Sequence, residues 1–252
     1  MSASSVTEAV AAGRDVTDVP RRMLVTVRLG ETAEEPRRLY RHVGYLTCRP
    51  DGYEFRYVQP SEGVRPLLGF GDLSRTYYSS ELFPLFAERI MSARRPDRAT
   101  YLEALDLSED SEPWEVLMRS GGRRAGDTIE VLPEPAVLPG GETRCTFLVH
   151  GVRHCGPDAS DTIRQLRPGH LLKLRWEPEN PVNERAVLVL NDSGVALGYV
   201  PDPLVDYVHT VIDTGEYRLS VVRANGPEVG SHLRLLVRLE GFVPIGYHPF
   251  DD

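Results

Sequence analysis

The sequence predicts an α+β chain of two small β-rich domains: an N-terminal sheet or barrel with three helices, then a C-terminal β-barrel with one main helix. Three observations carry this. Short runs alternating apolar and polar residues recur along the chain, each ended by a Gly, Pro, Asn or Asp turn. Stretches with a 3.6-residue apolar period are few and short. Pro133, Pro135, Pro139 and Gly140-Gly141 crowd one short span, so that a stiff linker at 135–142 separates domains at 23–134 and 143–252. At 252 residues, each part is long enough to bury a core.

Residues 1–22 are mostly small and polar with no apolar period, which predicts a disordered arm. Met23–Leu29 alternates and reads as a half-buried strand, followed by a polar loop around Pro36. Val43–Cys48 and Tyr53–Tyr57 flank Arg49-Pro50-Asp51-Gly52, a hairpin signature. Ser80–Arg95 reads as a helix: Ser80 fits an N-cap, Pro84 lies near the first turn, and Leu82, Leu85, Phe86 and Ile90 share a face. Two more helices follow at Tyr101–Leu107 and Glu112–Arg119, the latter capped by Ser111 and stopped by Gly121-Gly122. Thr128–Leu132 is a closing strand.

In the second half, Cys145–His150 reads as a strand continuing past Gly151, Ile163–Arg167 as a short helix and Leu171–Trp176 as a strand. The stretch from Glu177 to Pro203 organises this half. Pro178 and Pro181, with Asn180 between them, forbid a helix and impose a rigid extended turn. Ala186–Leu190 is a strand, and Asn191–Gly194 turns the chain back. Gly198-Tyr199 sets a large amphipathic ring beside a residue without a side chain, which lets a partner approach the backbone. Polar turns on a stiff β scaffold make a binding rim. Asp202-Pro203 opens a helix in which Leu204, Val205, Val208, Val211 and Ile212 keep a 3.6 period until Gly215. Tyr217–Ala224 and His232–Glu240 are two further strands, expected to pair. The whole suggests a closed barrel in the manner of OB-like folds.

A net charge of −8 argues against a broadly basic nucleic-acid coat. Within 144–175, however, Arg144, Arg153, Arg164, Arg167, Lys173 and Arg175 face only Asp158 and Asp161. Such a patch either grips one strand or chain end, or balances acids that folding brings near. No apolar run reaches bilayer length and no secretory signal is visible, while Cys48, Cys145 and Cys155 are too scattered for a disulfide framework or a zinc knuckle. A reduced, cytoplasmic protein without membrane, metal or cofactor is expected. Trp114 and Trp176 are expected in the core. Cys155 adjoins Arg153 and His154, neighbours able to lower a thiol pKa, yet no third partner completes a catalytic set. No enzyme is expected.

Val43-Gly44-Tyr45-Leu46, Asp51-Gly52, Phe55-Arg56-Tyr57, Arg65-Pro66-Leu67 and Glu112–Leu117 occur in an order that resembles the N-terminal subdomain of HipA-type kinases. The kinase body is missing, with no glycine-rich phosphate loop and strand lysine. The resemblance implies a partner-binding module. Val149–Arg153, Leu172-Lys173-Leu174, Glu177–Val187 and Leu197–Pro201 resemble a HIRAN domain over about 144–240. In remodelling helicases such domains hold single-stranded DNA by its free 3′ end. The resemblance implies a nucleic-acid site at Gly151, Val152, Arg153, His154, Asn180, Val182, Asn183 and Tyr199, with Arg153 on a phosphate and rings stacked on terminal bases. Where DNA-capturing members carry two tyrosines and an aspartate, this chain has His154, Val182 and Asn183. One base–aromatic contact is worth about 1–3 kcal/mol, so the changes weaken such a site.

Two readings from different classes follow. One is a non-catalytic protein that contacts single-stranded DNA or a 3′ end and docks a protein through 23–134. The other is an antitoxin-like regulator that binds a kinase or helicase partner without touching nucleic acid.

Overall fold

The computed structural model describes residues 20–29, 40–58, 65–124 and 126–250. The arm expected at 1–22 lies outside them except for its last three residues, as does the loop around Pro36. The chain is α+β, with two antiparallel sheets of five and seven strands.

The first sheet comprises β1 (Arg22–Arg28), β2 (Tyr40–Arg49), β3 (Gly52–Tyr57), β4 (Thr76–Ser79) and β5 (Ile129–Pro133), in the order β4-β3-β2-β1-β5. The Pro-Asp turn joins β2 and β3 as the sequence predicts, with Arg49 opposite Gly52. Its core holds Met23, Val25, Leu46 and Phe55, and Phe55 meets Phe70 at 4.4 Å between ring centroids, with Phe83 and Phe86 beyond. These rings also explain a correction. The helix expected over 80–95 shrinks to α1 (Pro84–Ala87), because Phe83 and Phe86 are both drawn into the aromatic cluster. After Ile90, exposed Arg94 and Arg95 and then Pro96 leave no apolar face to continue it. Helices α2 (Arg98–Ala104) and α3 (Pro113–Ser120) follow. The cap of α3 is Glu112, not Ser111, closing a capping box with Glu115, and left-handed Gly121 ends the helix.

The second sheet comprises β6 (Ala136–Val137), β7 (Glu142–Leu148), β8 (Leu171–Trp176), β9 (Val187–Leu190), β10 (Ala196–Tyr199), β11 (Tyr217–Ala224) and β12 (Leu235–Phe242). Their order is β10-β9-β8-β11-β12-β7-β6. Neither sheet closes through a continuous ladder. The end strand β10 of the second nevertheless meets the chain just beyond β7 at one antiparallel bridge, where His150 and Tyr199 exchange backbone hydrogen bonds of 2.8 and 2.9 Å. Val149, Val187, Val189, Leu197 and Leu219 fill its core, capped by α4 (Gly156–Gln165) and α5 (Val205–Asp213). Two helices therefore accompany this sheet: the main one expected, α5, and α4, which starts earlier than the short helix expected at Ile163–Arg167. The span expected as a linker contributes β6, which pairs with β7.

The sheets share buried contacts. Leu102, Leu105 and Val116 of the first half pack with Leu148, Leu233 and Leu236 of the second. Each such burial contributes about 1.5–3 kcal/mol. Asn225 Nδ2 donates to the carbonyls of Ala104 and Leu233, and Tyr45 Oη donates to the Phe250 carbonyl at 2.8 Å. The first sheet thus braces the second close to the bridge.

Candidate nucleic-acid interface

The bridge depends on two glycines. Gly198 has φ +148°, and a Cβ there would lie 2.4 Å from the His150 carbonyl oxygen, so no other residue brings the strands this close. Gly151 has φ +68°, and a Cβ there would lie 3.1 Å from Cδ2 of Tyr199. The Tyr199 ring therefore packs over the bare backbone of Gly151. Beyond it the chain enters a 3-10 turn, Val152–His154. Val152 points into the core, whereas Arg153 and His154 are exposed, with Arg153 Nε donating to His154 Nε2 at 3.0 Å.

Opposite stands the loop between β8 and β9, built on its own amides. Asn180 Oδ1 accepts from the backbone N–H groups of Val182 and Asn183, at 2.9 and 3.1 Å. Asn183 Oδ1 accepts from the N–H of Arg185, and its Nδ2 donates to Asp202. These are Asx-type braces, and they hold a proline-rich loop that has few backbone bonds of its own. Glu177 ties the loop to the ring: its Oε2 accepts from Asn180 Nδ2 at 2.6 Å and from Tyr199 Oη at 3.1 Å. Burial, that hydrogen bond and the Glu177 charge push the Tyr199 phenol up to about 12, so it remains a neutral donor throughout the physiological range.

Of the eight residues singled out in the sequence, Gly151, Arg153, His154 and Tyr199 gather around the bridge, and Asn180 joins them through Glu177. Val152 is core. Val182 is 49% exposed, and Asn183 is turned toward Asp202. Sequence reasoning placed neither Glu177 nor Asp202 in the site; it read Asp202 as the N-cap of a helix, whereas Asp202–Leu204 is a 3-10 turn and α5 begins at Val205. Glu177 was visible in the Glu-Pro run and Asp202 as a helix cap, but neither pattern reveals which groups the fold sets against them. Asp202 has its carboxyl pushed up by burial, with the Asn183 hydrogen bond and His150 opposing.

The first sheet also reaches this site. Glu130 of β5 is 3% exposed and lies 3.0 Å from His150 Nε2, with Arg123 at 3.7 Å. Burial pushes the Glu130 carboxyl up, but His150, Arg123 and Arg28 outweigh it and leave the group below the usual glutamate value.

Two expectations are corrected. Trp114 is buried, but Trp176 is 56% exposed. As the last residue of β8 it stands at the rim, its Nε1 donating to the Glu184 carbonyl and its ring edge-on to His209 at 5.7 Å. The Cys155 thiol is raised by burial and by Glu177, not lowered by its basic neighbours. The basic patch also divides. Arg164 pairs with Asp161 and Lys173 with Asp192, whereas Arg153 and Arg175 have no carboxylate partner among the described residues. A cleft of about 460 Å³ lies away from the bridge, between Pro20-Arg21, 134–139 and 246–249. Among the described residues no group of three His, Cys, Asp or Glu is arranged to hold a metal ion, and no helix is long and apolar enough to cross a membrane.

The bridge, the glycine under a tyrosine and the amide-braced loop all fall within residues 143–241, which match the model of the HIRAN domain. Two solved structures are similar. A protein from Lactobacillus plantarum shares 21% identity, with 41% of this chain and 99% of that one covered and a TM-score of 0.33. The HIRAN domain of human HLTF shares 16% identity, with 42% and 83% covered and a TM-score of 0.31. No curated protein matches the chain. The family model, rather than overall superposition, carries the likeness, and it spans the second half.

Proposed function

We propose that the domain at 143–241 is a non-catalytic nucleic-acid-binding module that holds single-stranded DNA, or its 3′ end, where β10 meets His150. One observation carries this reading: the Tyr199 ring is fixed over Gly151, two residues before Arg153, whose guanidinium is exposed and has no acidic partner among the described residues. An unstacked base needs a ring face, and a phosphodiester needs a guanidinium. The HIRAN likeness supports the same ligand. Arg153 takes the phosphate, Tyr199 offers the ring, and His154 lies alongside. Asn180 and Asn183 act by shaping the loop, since their amides are engaged with its backbone, with Glu177 and with Asp202. With Val182 in place of a ring, binding is weak, in the range where salt dominates. Titration of a labelled single strand tests this at low salt: Tyr199→Ala loses affinity, and equal binding by the variant would refute it.

The region at 23–134 serves as a protein-docking module in the same proposal, with a kinase body or a helicase as partner. What favours this is its edge strand β4, paired on one side only among the described residues, with Tyr78 68% exposed, and Leu68 83% exposed in a preceding turn. Co-purification with such a partner, lost on Tyr78→Arg, is the expected result.

A further inference from the structure

The β-register places a second cation on the face that carries Tyr199. Directly opposed residues of an antiparallel pair point to the same face. Tyr199 of β10 is opposite Leu188 of β9, and Leu188 is opposite Arg175 of β8. On the other side, Tyr199 is bridged to His150. Arg175, Leu188, Tyr199 and His150 therefore form one transverse row. The alternate residues Val187 and Val189 of β9 belong to the core, so this row lies on the opposite face, where Arg175 is exposed and Leu188 is covered. Neighbouring strands are about 4.8 Å apart, which puts the Arg175 backbone roughly 10 Å from that of Tyr199.

The Arg175 side chain is exposed and has no hydrogen-bond or ion-pair partner among the described residues. Its neighbour on that face, Lys173, is held by Asp192. Leu188, between Arg175 and Tyr199, is buried and offers no charge to neutralise either cation. A guanidinium left unpaired on a protein of net charge −8, in register with a ring that packs over Gly151, two residues before Arg153, is suited to an anion spaced along a chain.

We propose that Arg175 is a second phosphate-binding residue, and that a single strand crosses β10, β9 and β8 with Tyr199 between the Arg153 and Arg175 contacts. This rests on the nucleic-acid reading and extends it. It gives the site a direction across the sheet and makes it wider than an end pocket.

The test is the salt dependence of binding. For a single strand, each phosphate contact contributes about 0.7 to the slope of log K against log salt. Full-length wild type, Arg175→Ala, Arg153→Ala and Arg164→Ala are titrated with a fluorescein-labelled twelve-nucleotide oligothymidylate at several salt concentrations. Arg164→Ala makes the same charge change at a residue paired with Asp161 and serves as the control. Arg175→Ala is expected to reduce the slope by about 0.7 and to weaken binding several-fold at low salt, while Arg164→Ala leaves the slope unchanged. An unchanged slope in Arg175→Ala beside a reduced one in Arg153→Ala overturns this inference and leaves the function standing. Equal loss in all three variants reduces Arg175 to bulk charge and overturns it too. Absence of wild-type binding removes both.

Discussion

Replacing Gly151 by alanine separates the ring from the backbone that supports it. At φ +68° an L-residue costs about 1–2 kcal/mol, and here the new Cβ also meets Tyr199 Cδ2 at 3.1 Å. For a chain of this size, that cost lowers Tm by about 2–8 °C. Gly156 provides the control: its φ is +79°, yet a Cβ there meets nothing within 4 Å. Both variants carry the backbone strain, and only Gly151→Ala pushes the ring. Thermal unfolding should therefore report similar destabilisation in the two. Binding of a labelled single strand should separate them, because losing a base–aromatic contact of about 1–3 kcal/mol weakens affinity about 5- to 150-fold. If Gly151→Ala binds as tightly as Gly156→Ala, the ring over Gly151 is not where the base sits.

Further expectations follow from the same geometry. Glu130 has its folded pKa below the ordinary value of 4.5, so its contribution is full above that pH and is lost as pH falls through the folded value. Glu130→Gln should flatten the acid limb of the stability–pH curve below about 4.5, measured by urea midpoints, and an unchanged limb would mean the pair with His150 contributes nothing. Cys155, raised by burial and then by Glu177, should alkylate with iodoacetamide at pH 8 more slowly than a free thiol. Glu177→Gln should accelerate that site while leaving Cys145, pushed up to about 12 by burial alone, unreactive, as peptide mass spectrometry would report. Trp176, the exposed indole, should remain open to iodide quenching in Trp114→Phe, whereas Trp176→Phe should leave an emission blue-shifted and shielded; the reverse pattern would contradict the structure.

The β2–β3 hairpin was legible because its Pro-Asp-Gly turn acts locally, and the paired strands β11 and β12 at the middle of the second sheet were legible from their sequence pattern. Helix α4 was legible only in part. It starts at Gly156-Pro157, residues that read as a loop, and its apolar face amounts to Ala159 and Ile163. Strand β6 was hidden among prolines and owes its existence to pairing with β7. The glycines and Tyr199 of the site were visible as a motif, but their partners were not. Glu130 meets His150, and Asn183 meets Asp202, through contacts between elements that no local pattern specifies. The same holds for Trp176. Its apolar character suggested burial, but as a strand's last residue at the rim it meets the edge of His209 and stays 56% exposed.

The central claim, that the edge around Arg153 and Tyr199 holds a single strand, is tested most directly by fluorescence anisotropy at low and moderate salt. The ligands are a short strand with a free 3′ hydroxyl, the same strand phosphorylated at its 3′ end, and a blunt duplex, each against wild type and Arg153→Ala. Salt-dependent binding of the free 3′ strand over the duplex, lost in Arg153→Ala, is the expected result. Equal binding of all three ligands, unaffected by Arg153→Ala, would contradict it.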